Sequence, residues 1–398
     1  MRREYDVVVA GHICLDLIPK FSEEAGKNFA NLLKPGKLIE VGNATISTGG
    51  PVSNTGIALQ KLGVKTTLMA KVSNDALGHV LLELLEGSGL AKGMTVVTGE
   101  QTSYTVVINP PGIDRIFLHC PGCNSTFSAH DVNYDLCKQT SLFHFGYPPL
   151  MRQVYADKGR DLVAIFRGAH EAGATTSLDM ALPDPATESG RADWDGILRD
   201  LLPHVDIFMP SIEEGLFMLM RARYDELASQ AHGSEMIDHV TGDDYAVLSD
   251  KILSYGARVA VIKSAHRGYY ARTADAAALA EMGAAKPSRI EEWASHELWQ
   301  PSYHTPRIAS ATGSGDSSIA GFLAAFVRGK SLADCMKYGC LVGWQNLQTY
   351  DAVSGIKTWE QTEADYVAGF ENNPLDPHSA GWTHEAAANI WHGPNDRS

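Results

Sequence analysis

The sequence predicts an α/β fold in which a mostly parallel central sheet carries helices on both faces. Short apolar runs alternate with longer amphipathic segments along most of the 398 residues, and this alternation is typical of βα units. The composition is 44% hydrophobic and 20% charged, which is globular and supplies ample material for a core.

The central sheet is predicted from six apolar runs, at residues 5–10, 66–72, 142–145, 175–180, 205–209 and 259–264. Amphipathic segments between them predict helices at 78–85, 154–172, 212–223 and 245–255.

One stretch interrupts this alternation. Residues 94–120 contain extended segments without a helix between them, and Pro110-Pro111-Gly112 supplies a turn. Residues 12–20 and 38–48 look similarly extended. Such β-rich pieces cannot continue a parallel βαβ layer, so we predict a small separate sheet that acts as a lid, with segments at about 12–48 and 94–120.

The rest of the chain is assigned to the same unit, so that 1–398 forms a single domain. Two regions look like additions to it. Residues 274–304, rich in alanine and charges, are predicted to be an insertion, and residues 371–398 a C-terminal extension.

Charge and hydropathy argue against some classes of partner. The net charge of −14 disfavours a nucleic-acid phosphate surface. No apolar run approaches the roughly 18–20 residues that span a bilayer, and residues 7–10 are too short an apolar run for a signal peptide. We expect a cytoplasmic protein that binds neither nucleic acid nor membrane.

The cysteines and one histidine pair give weaker patterns. Cys120 and Cys123 form a CxxC pair, but a loop follows it and no second Cys/His pair has zinc spacing, so we interpret both as reduced thiols. His384-Glu385 begins like a metalloprotease motif, but Ala388 occupies the position of the second histidine ligand.

The strongest chemical signal is the segment ATGSGDSSIAGFLAAF at 311–326. Apolar residues from Ile319 to Phe326 recur at helical spacing and predict a helix that begins close to Asp316. The small residues before the helix leave its first N–H groups uncovered, which makes an anion site. On these residues alone, Asp316 is either an N-cap or a base beside the anion. A dinucleotide fingerprint is disfavoured because Ser318 stands at the third glycine position.

A second signal lies in Thr48-Gly49-Gly50-Pro51-Val52-Ser53-Asn54. The double glycine allows close backbone approach, and the Asn54 amide presents a donor and an acceptor to hydroxyls. This suits a polyol, and it equally suits a plain turn with an asparagine cap.

Together, the order and spacing of these motifs resemble the ribokinase-like (PfkB-type) carbohydrate kinases over nearly the whole chain. The Gly-x-Gly-Asp sequence that opens a late helix is the most specific element, and the Gly-Gly…Asn element is next. The matching positions are Gly11, Asp16, Gly49-Gly50, Asn54, Leu62-Gly63, Gly78, Thr102, Arg115, Asn124, Pro210 to Glu214, Lys263 to Gly268 and Gly313 to Asp316.

The resemblance implies an ATP-dependent kinase with Mg²⁺ that phosphorylates a hydroxyl of a small sugar. It makes Asp316 the general base and the N–H groups of Gly313, Ser314 and Gly315 the anion hole. It also implies three binding groups: Asp16, Gly49, Gly50 and Asn54 for the sugar hydroxyls, Asp179, Lys263 and Gly268 on the nucleotide side, and Glu214 for hydrated magnesium.

The sequence departs from the family pattern at five positions, and the mildest departure is Ser314, which stands where the late motif usually has alanine. Ser211 replaces the asparagine of the Asn-x-x-Glu element, Ala265 replaces a usual glycine, and Pro51 is shifted by one place. Ser310 stands where many relatives have an aspartate that helps to hold a monovalent cation, so potassium dependence is left open.

Charge is the only sequence feature that narrows the range of possible substrates. Relatives that take phosphorylated sugars need a cation near the pocket, and the 49–54 segment has none, so we predict an unphosphorylated sugar. Arg115 is assigned to the substrate site because it could reach an acid group, which makes a sugar acid a second option. A nucleoside kinase of the same fold, with Phe117 or Tyr104 as stacking surfaces, and a non-catalytic sugar-binding regulatory protein are the alternatives.

A lid sheet cannot bury both of its faces, and apolar positions such as Val106, Ile108 and Phe117 need cover. Relatives often pair their lids. We therefore predict a homodimer through the lid.

Overall fold

The apolar runs form the centre of a ten-stranded sheet in a computed structural model that describes residues 3–24, 34–111 and 115–397. The strands are β1 (Tyr5–Gly11), β4 (Thr66–Met69), β9 (Thr140–Gly146), β10 (Thr175–Leu178), β11 (Ile207–Phe208), β12 (Val259–Lys263), β13 (Tyr269–Thr273), β14 (Glu297–Gln300), β15 (Thr383–Glu385) and β16 (Ile390–His392). Six strands are parallel, in the spatial order β4-β1-β9-β10-β11-β12, and four antiparallel strands, β13, β14, β16 and β15, extend the sheet.

Helices cover both faces of this sheet, as predicted. Successive side chains of a strand point to opposite faces, so Val8 and Ala10 pack in one core while Val7 and Val9 pack in the other. The described helices are α1 (Pro51–Lys61), α2 (Ala76–Glu86), α3 (Tyr134–Lys138), α4 (Arg152–Glu171), α5 (Trp194–Leu201), α6 (Ile212–Leu219), α7 (Arg221–Ala231), α8 (Gly242–Ser254), α9 (Ala276–Ala280), α10 (Ser314–Phe326), α11 (Leu332–Leu347) and α12 (Trp359–Ala368).

The predicted small sheet is confirmed. Its four strands are β2 (Cys14–Pro19), β3 (Ala44–Gly49), β7 (Tyr104–Ile108) and β8 (Ile116–Cys120), in the order β3-β2-β7-β8. The predicted extended run at 94–97 instead forms β6 (Thr95–Val97), which pairs with β5 (Lys71–Ser73) in a separate two-stranded sheet. The parts of the lid prediction at 25–33 and 112–114 lie outside the described residues.

The two predicted additions contribute to the antiparallel side of the main sheet. Residues 274–304 contain α9 and β14, and the tail contains β15 and β16. Trp299 of β14 pairs with Trp391 of β16. Their interpretation as an insertion and an extension stays a prediction, and residue 398 lies outside the described part. Over the described residues, none of the helices is both long and apolar enough to cross a bilayer.

The parallel strands bring several polar residues to one edge. The carboxyl ends of parallel strands lie on the same side of a sheet, where ligands bind in open α/β folds. Tyr147 follows β9, Asp179 follows β10, and Lys263 ends β12. The lid sheet begins at Cys14, three residues beyond the end of β1.

Candidate active site

Helix α10 begins as the small residues before it predict. Gly313 precedes the helix with φ of 70°, in the left-handed region that favours glycine, and a Cβ there would lie 2.6 Å from Ala352 Cβ. Around Gly315, the nearest atom to an added Cβ is Lys263 Cε at 3.8 Å. Ser314 N donates to the Ala311 carbonyl at 3.2 Å, whereas Gly313 and Gly315 leave their N–H groups open to an anion.

Asp316 lies in this first turn and is buried, with 2% of its surface exposed. Its Oδ2 accepts a hydrogen bond of 2.9 Å from Asn54 Nδ2, whereas its Oδ1 has no partner among the described residues. Burial raises the pKa of Asp316 to about 6, although hydrogen bonds from Asn54 and Tyr147 oppose the shift. The carboxylate is therefore mostly ionised at pH 7 and keeps one acceptor for a ligand.

The predicted sugar-binding residues meet where the lid joins the main sheet. A Cβ on Gly49 would lie 2.5 Å from Asp16 Oδ1, so the glycine is needed for this close approach. Gly50 has a φ of 83° and precedes α1, which carries Asn54 in its first turn. Burial raises the pKa of Asp16, against hydrogen bonds from Cys14 and Thr105. The structure thus brings Asp16, Gly49, Gly50, Asn54 and Asp316 together.

Lys263 joins two further acidic groups at this edge. Its Nζ lies 2.5 Å from Asp179 Oδ1 and 3.9 Å from Glu214 Oε2, and it also donates to the carbonyl of Met209. Burial raises the pKa of Asp179, and the charges of Glu214 and Asp316 add to this increase while Lys263 opposes it. Burial alone would lower the pKa of Lys263, but the nearby carboxylates raise it. The lysine is therefore a fixed positive charge.

Glu214 has a structural duty as well. Its Oε2 accepts from Ser211 N at 2.6 Å, and Ser211 Oγ accepts from Glu214 N at 3.2 Å, which is a capping box at the start of α6. Oε1 takes no part in the capping box. Asp179, Glu214 and Asp316 set three carboxylates against one lysine, and this oxygen-rich excess of negative charge fits hydrated Mg²⁺.

The two remaining predicted residues lie at the margins. Arg115, just before β8, donates from Nη1 to Ser310 Oγ at 3.1 Å, which links the small sheet to the loop before α10. Gly268 lies in the turn between β12 and β13 with φ of 87°, and a Cβ would clash with the carbonyl of Gln300. This turn alone explains the glycine.

Three residues of this region were missed by sequence reasoning. Tyr147 adopts φ of 61° directly after β9 and lies close enough to Asp316 to help lower the pKa of that carboxyl. His12 and His119 face each other with 3.2 Å between their Nε2 atoms. The position of Tyr147 after a strand that ends in glycine was a usable signal. The histidines are 107 residues apart, and no local pattern joins them.

The chain matches the family described as pfkB family carbohydrate kinase over residues 5–283 and 295–359. An uncharacterized sugar kinase of Archaeoglobus fulgidus is 21% identical over 301 residues, which cover 75% of this chain and 98% of that protein. A probable fructokinase-5 of Arabidopsis thaliana is 25% identical over 215 residues, 53% of this chain and 61% of that protein.

Among solved structures, the ribokinase of Arabidopsis thaliana complexed with ribose and ATP superposes with a TM-score of 0.65. It is 17% identical and covers 90% of this chain and 98% of its own, so the likeness shows the fold. Both the predicted fold and the predicted kinase class are confirmed. With a family match over most of its length, this chain belongs to the pfkB family of carbohydrate kinases.

Proposed function

We propose that this kinase transfers the γ-phosphoryl group of ATP to a hydroxyl of a small unphosphorylated sugar or sugar acid, with Asp316 as general base. The observation that carries the proposal is the unpartnered Oδ1 of Asp316, buried beside an open helix N-terminus. Buried polar atoms normally have hydrogen-bond partners, so an acceptor left free in a polar site marks the place of a ligand donor.

The chemistry follows from this arrangement. A sugar hydroxyl is a poor nucleophile, and its oxygen attacks more readily when a carboxylate accepts its proton. The proton moves to Asp316, the oxygen bonds to the γ-phosphorus, and the bond to the bridging oxygen of ADP breaks. The N–H groups of Gly313 and Gly315 would stabilise the charge on the transferring group, and Ser314 N–H would join them once it releases the carbonyl of Ala311.

The nucleotide side is assigned to the acidic cluster and Lys263. The lysine beside Gly315 suits a phosphate oxygen, and Asp179 holds that lysine in place. Glu214 would hold the waters of Mg²⁺, which when bound neutralises phosphate charge. The assignment of Gly268 to the nucleotide side rests only on the family resemblance.

Ser310 Oγ accepts a hydrogen bond from the Arg115 guanidinium. The positive charge of Arg115 would repel a monovalent cation at that place.

The substrate class follows from charge and from relatives. The Gly49–Asn54 segment offers no cation, which favours a sugar without a phosphate group. A fructokinase and a ribokinase are among the similar proteins, so fructose and ribose are the first sugars to test. Arg115 suits the carboxylate of a sugar acid, because a guanidinium pairs bidentately with it.

An assay of ATP consumption over a panel of sugars, sugar acids, hexose phosphates and nucleosides tests the proposal. We expect turnover with at least one free sugar or sugar acid. Turnover confined to nucleosides would support the nucleoside kinase instead, and turnover confined to hexose phosphates would contradict the charge argument. No turnover with any member would favour a non-catalytic sugar-binding protein.

A further inference from the structure

Three side chains of types that can bind a metal lie together where the lid sheet joins the first strand. They are His12, Cys14 and His119, and one ligand atom from each lies within 4.8 Å of the other two. No other group of this kind is found in the described part of the chain. His12 follows β1, Cys14 begins β2, and His119 lies on β8, so the cluster connects both sheets.

The spacing of the two imidazoles matches an N–H···N hydrogen bond between them and also matches a coordinated pair. Their Nε2 atoms are 3.2 Å apart. Two nitrogens that bind one tetrahedral Zn²⁺ at about 2.0–2.1 Å are separated by about 3.3 Å. The other ring nitrogen of His119, Nδ1, lies 3.0 Å from Thr105 Oγ1. Such outer hydrogen bonds fix the orientation of metal-binding histidines.

We propose that His12, Cys14 and His119 bind a divalent cation of the Zn²⁺ class. Imidazole and thiolate ligands select such borderline-soft ions over Mg²⁺. On binding, the Cys14 thiol gives its proton to solvent and its sulfur bonds to the ion. Asp16 is not part of this group, although its Oδ1 accepts from Cys14 Sγ at 3.3 Å, so a water would supply the fourth ligand.

The three residues come from both the lid sheet and its base, so a bound ion would also hold the lid sheet in place. His119 is half-buried on the lid strand, whereas His12 and Cys14 are buried at the base of the lid. An ion held by all three would tie β8 to the start of β2. It would also occupy the surroundings of Asp16, so metal and sugar would compete for one place.

The test uses the full chain, reduced and stripped of metal, with Zn²⁺ and Co²⁺ as the only added ions. We expect one Zn²⁺ per chain by equilibrium dialysis and a thiolate-to-Co²⁺ charge-transfer band. Cys14→Ser should abolish the band, and His119→Ala should weaken Zn²⁺ binding at least about tenfold. Cys120→Ser and His130→Ala, on a lid-strand thiol and an exposed histidine, serve as matched controls and should change neither measurement.

Sub-stoichiometric Zn²⁺ binding by the parent would overturn the proposal, and so would an unchanged band in Cys14→Ser. Circular dichroism of each variant without metal shows whether it is folded. Should Cys14→Ser fail to fold, His119→Ala on the accessible strand still decides, because unaltered affinity in that variant excludes the site.

A second experiment measures enzyme kinetics and therefore rests on the proposed function. In the parent, we expect Zn²⁺ to raise the apparent KM for sugar and to leave the KM for ATP unchanged. His119→Ala should lose this inhibition. The binding measurements need no turnover, so failure of the sugar kinase proposal and failure of the metal site give different results.

Discussion

Asp316 has two properties that a helix cap does not need, namely burial and an acceptor oxygen without a partner among the described residues. A cap accepts from the N–H groups of its own helix. Asp316 instead accepts from Asn54 on another helix, 262 residues away in sequence. The residue is therefore held by tertiary contacts, as expected of a group whose position matters to a ligand.

Asp316→Asn separates a base from a cap. The amide keeps the size of the side chain and can still accept a hydrogen bond, but it cannot take the hydroxyl proton. We expect kcat to fall by roughly 10²–10⁴, the usual worth of general-base catalysis. The KM for ATP should hold or decrease, because a negative charge near the phosphates is removed. Steady-state kinetics with the best sugar of the panel measures both.

Stability provides the control for this variant. Burial raises the pKa of Asp316 to about 6, because the folded state disfavours the charged carboxylate. The contribution of this group to folding stability is therefore present at low pH and is lost as pH rises from about 4 to 6. At pH 7 a neutral asparagine should leave Tm unchanged or higher. Asp75→Asn, at the cap of α2, is the matched change outside the site and should keep normal kcat. A kcat above about a tenth of the parent value in Asp316→Asn contradicts the mechanism.

The pH dependence should carry the signature of the same carboxylate. A base acts only when ionised, so kcat/KM for sugar should fall as pH drops through about 6. Asn54 donates to Asp316 and holds its pKa down, so Asn54→Ala should move this acidic limb to higher pH. Rate profiles from pH 5 to 8 measure the shift.

Asp179 offers the competing explanation, since its pKa is also raised, to about 7. It contacts Lys263 and not Asn54. If Asp179 set the limb, Asn54→Ala would leave the limb in place. Ser53→Ala is the control, because the Ser53 hydroxyl bonds the carbonyl of Gly49 and does not contact Asp316.

At the level of elements, the start of α6 combines a structural and a functional duty. Ser211 and Glu214 form a capping box, while Lys263 faces the same carboxylate. Where the family usually has asparagine, serine serves equally well as a cap. The departure at Ser211 therefore leaves the helix intact and leaves Glu214 aimed at the site.

Two substitutions should separate these duties. Glu214→Gln can keep the capping box, because glutamine also serves at this position, but it removes the charge. We expect little change in urea unfolding and a several-fold rise in the Mg²⁺ concentration for half-maximal activity. Ser211→Ala should do the reverse and lower the free energy of unfolding by about 1 kcal/mol without altering the Mg²⁺ requirement. Equal effects of both changes on Mg²⁺ would refute a metal role for Glu214.

The elements also show what a sequence can predict. The buried parallel strands read as apolar runs because both of their faces are covered, and their predicted limits lie within a few residues of those observed. All four antiparallel strands, β13 to β16, were missed. β15 and β16 have three residues each, and β16 joins the sheet through a contact between Trp299 and Trp391, about 90 residues apart. The periodicity of apolar residues within a short segment cannot predict contacts between residues so far apart in the sequence.

The same limit applies to the candidate site. Asp316 and the residues at Gly313–Gly315 stand out because the chemistry lies in consecutive positions. Contacts such as Asn54 with Asp316 became expected only through the family resemblance. The His12–His119 pair has neither a local motif nor a family pattern behind it, so only the fold reveals it.

At the level of the whole molecule, the lid sheet is the part with uncovered surface. Its outer strands are β3 and β8, and their outer edges are unpaired among the described strands. Large apolar side chains are exposed on these two strands, at Ile46, Ile116, Phe117 and Leu118. Unpaired edges with apolar side chains are unfavourable in a monomer, and a second copy of the sheet can cover them.

We therefore expect the parent to sediment as a dimer of the 43.0-kDa chain at micromolar concentration. Phe117 is 54% exposed in one chain, and a charge buried at an interface without a partner is costly. Phe117→Asp should accordingly shift the protein to monomer, with unchanged secondary structure by circular dichroism. Val367→Asp is the control, since Val367 on α12 is 84% exposed and remote in sequence from the lid segments, and it should leave the dimer intact. A monomeric parent would remove the contact, and a dimer that tolerates Phe117→Asp as well as it tolerates the control change would place the contact elsewhere.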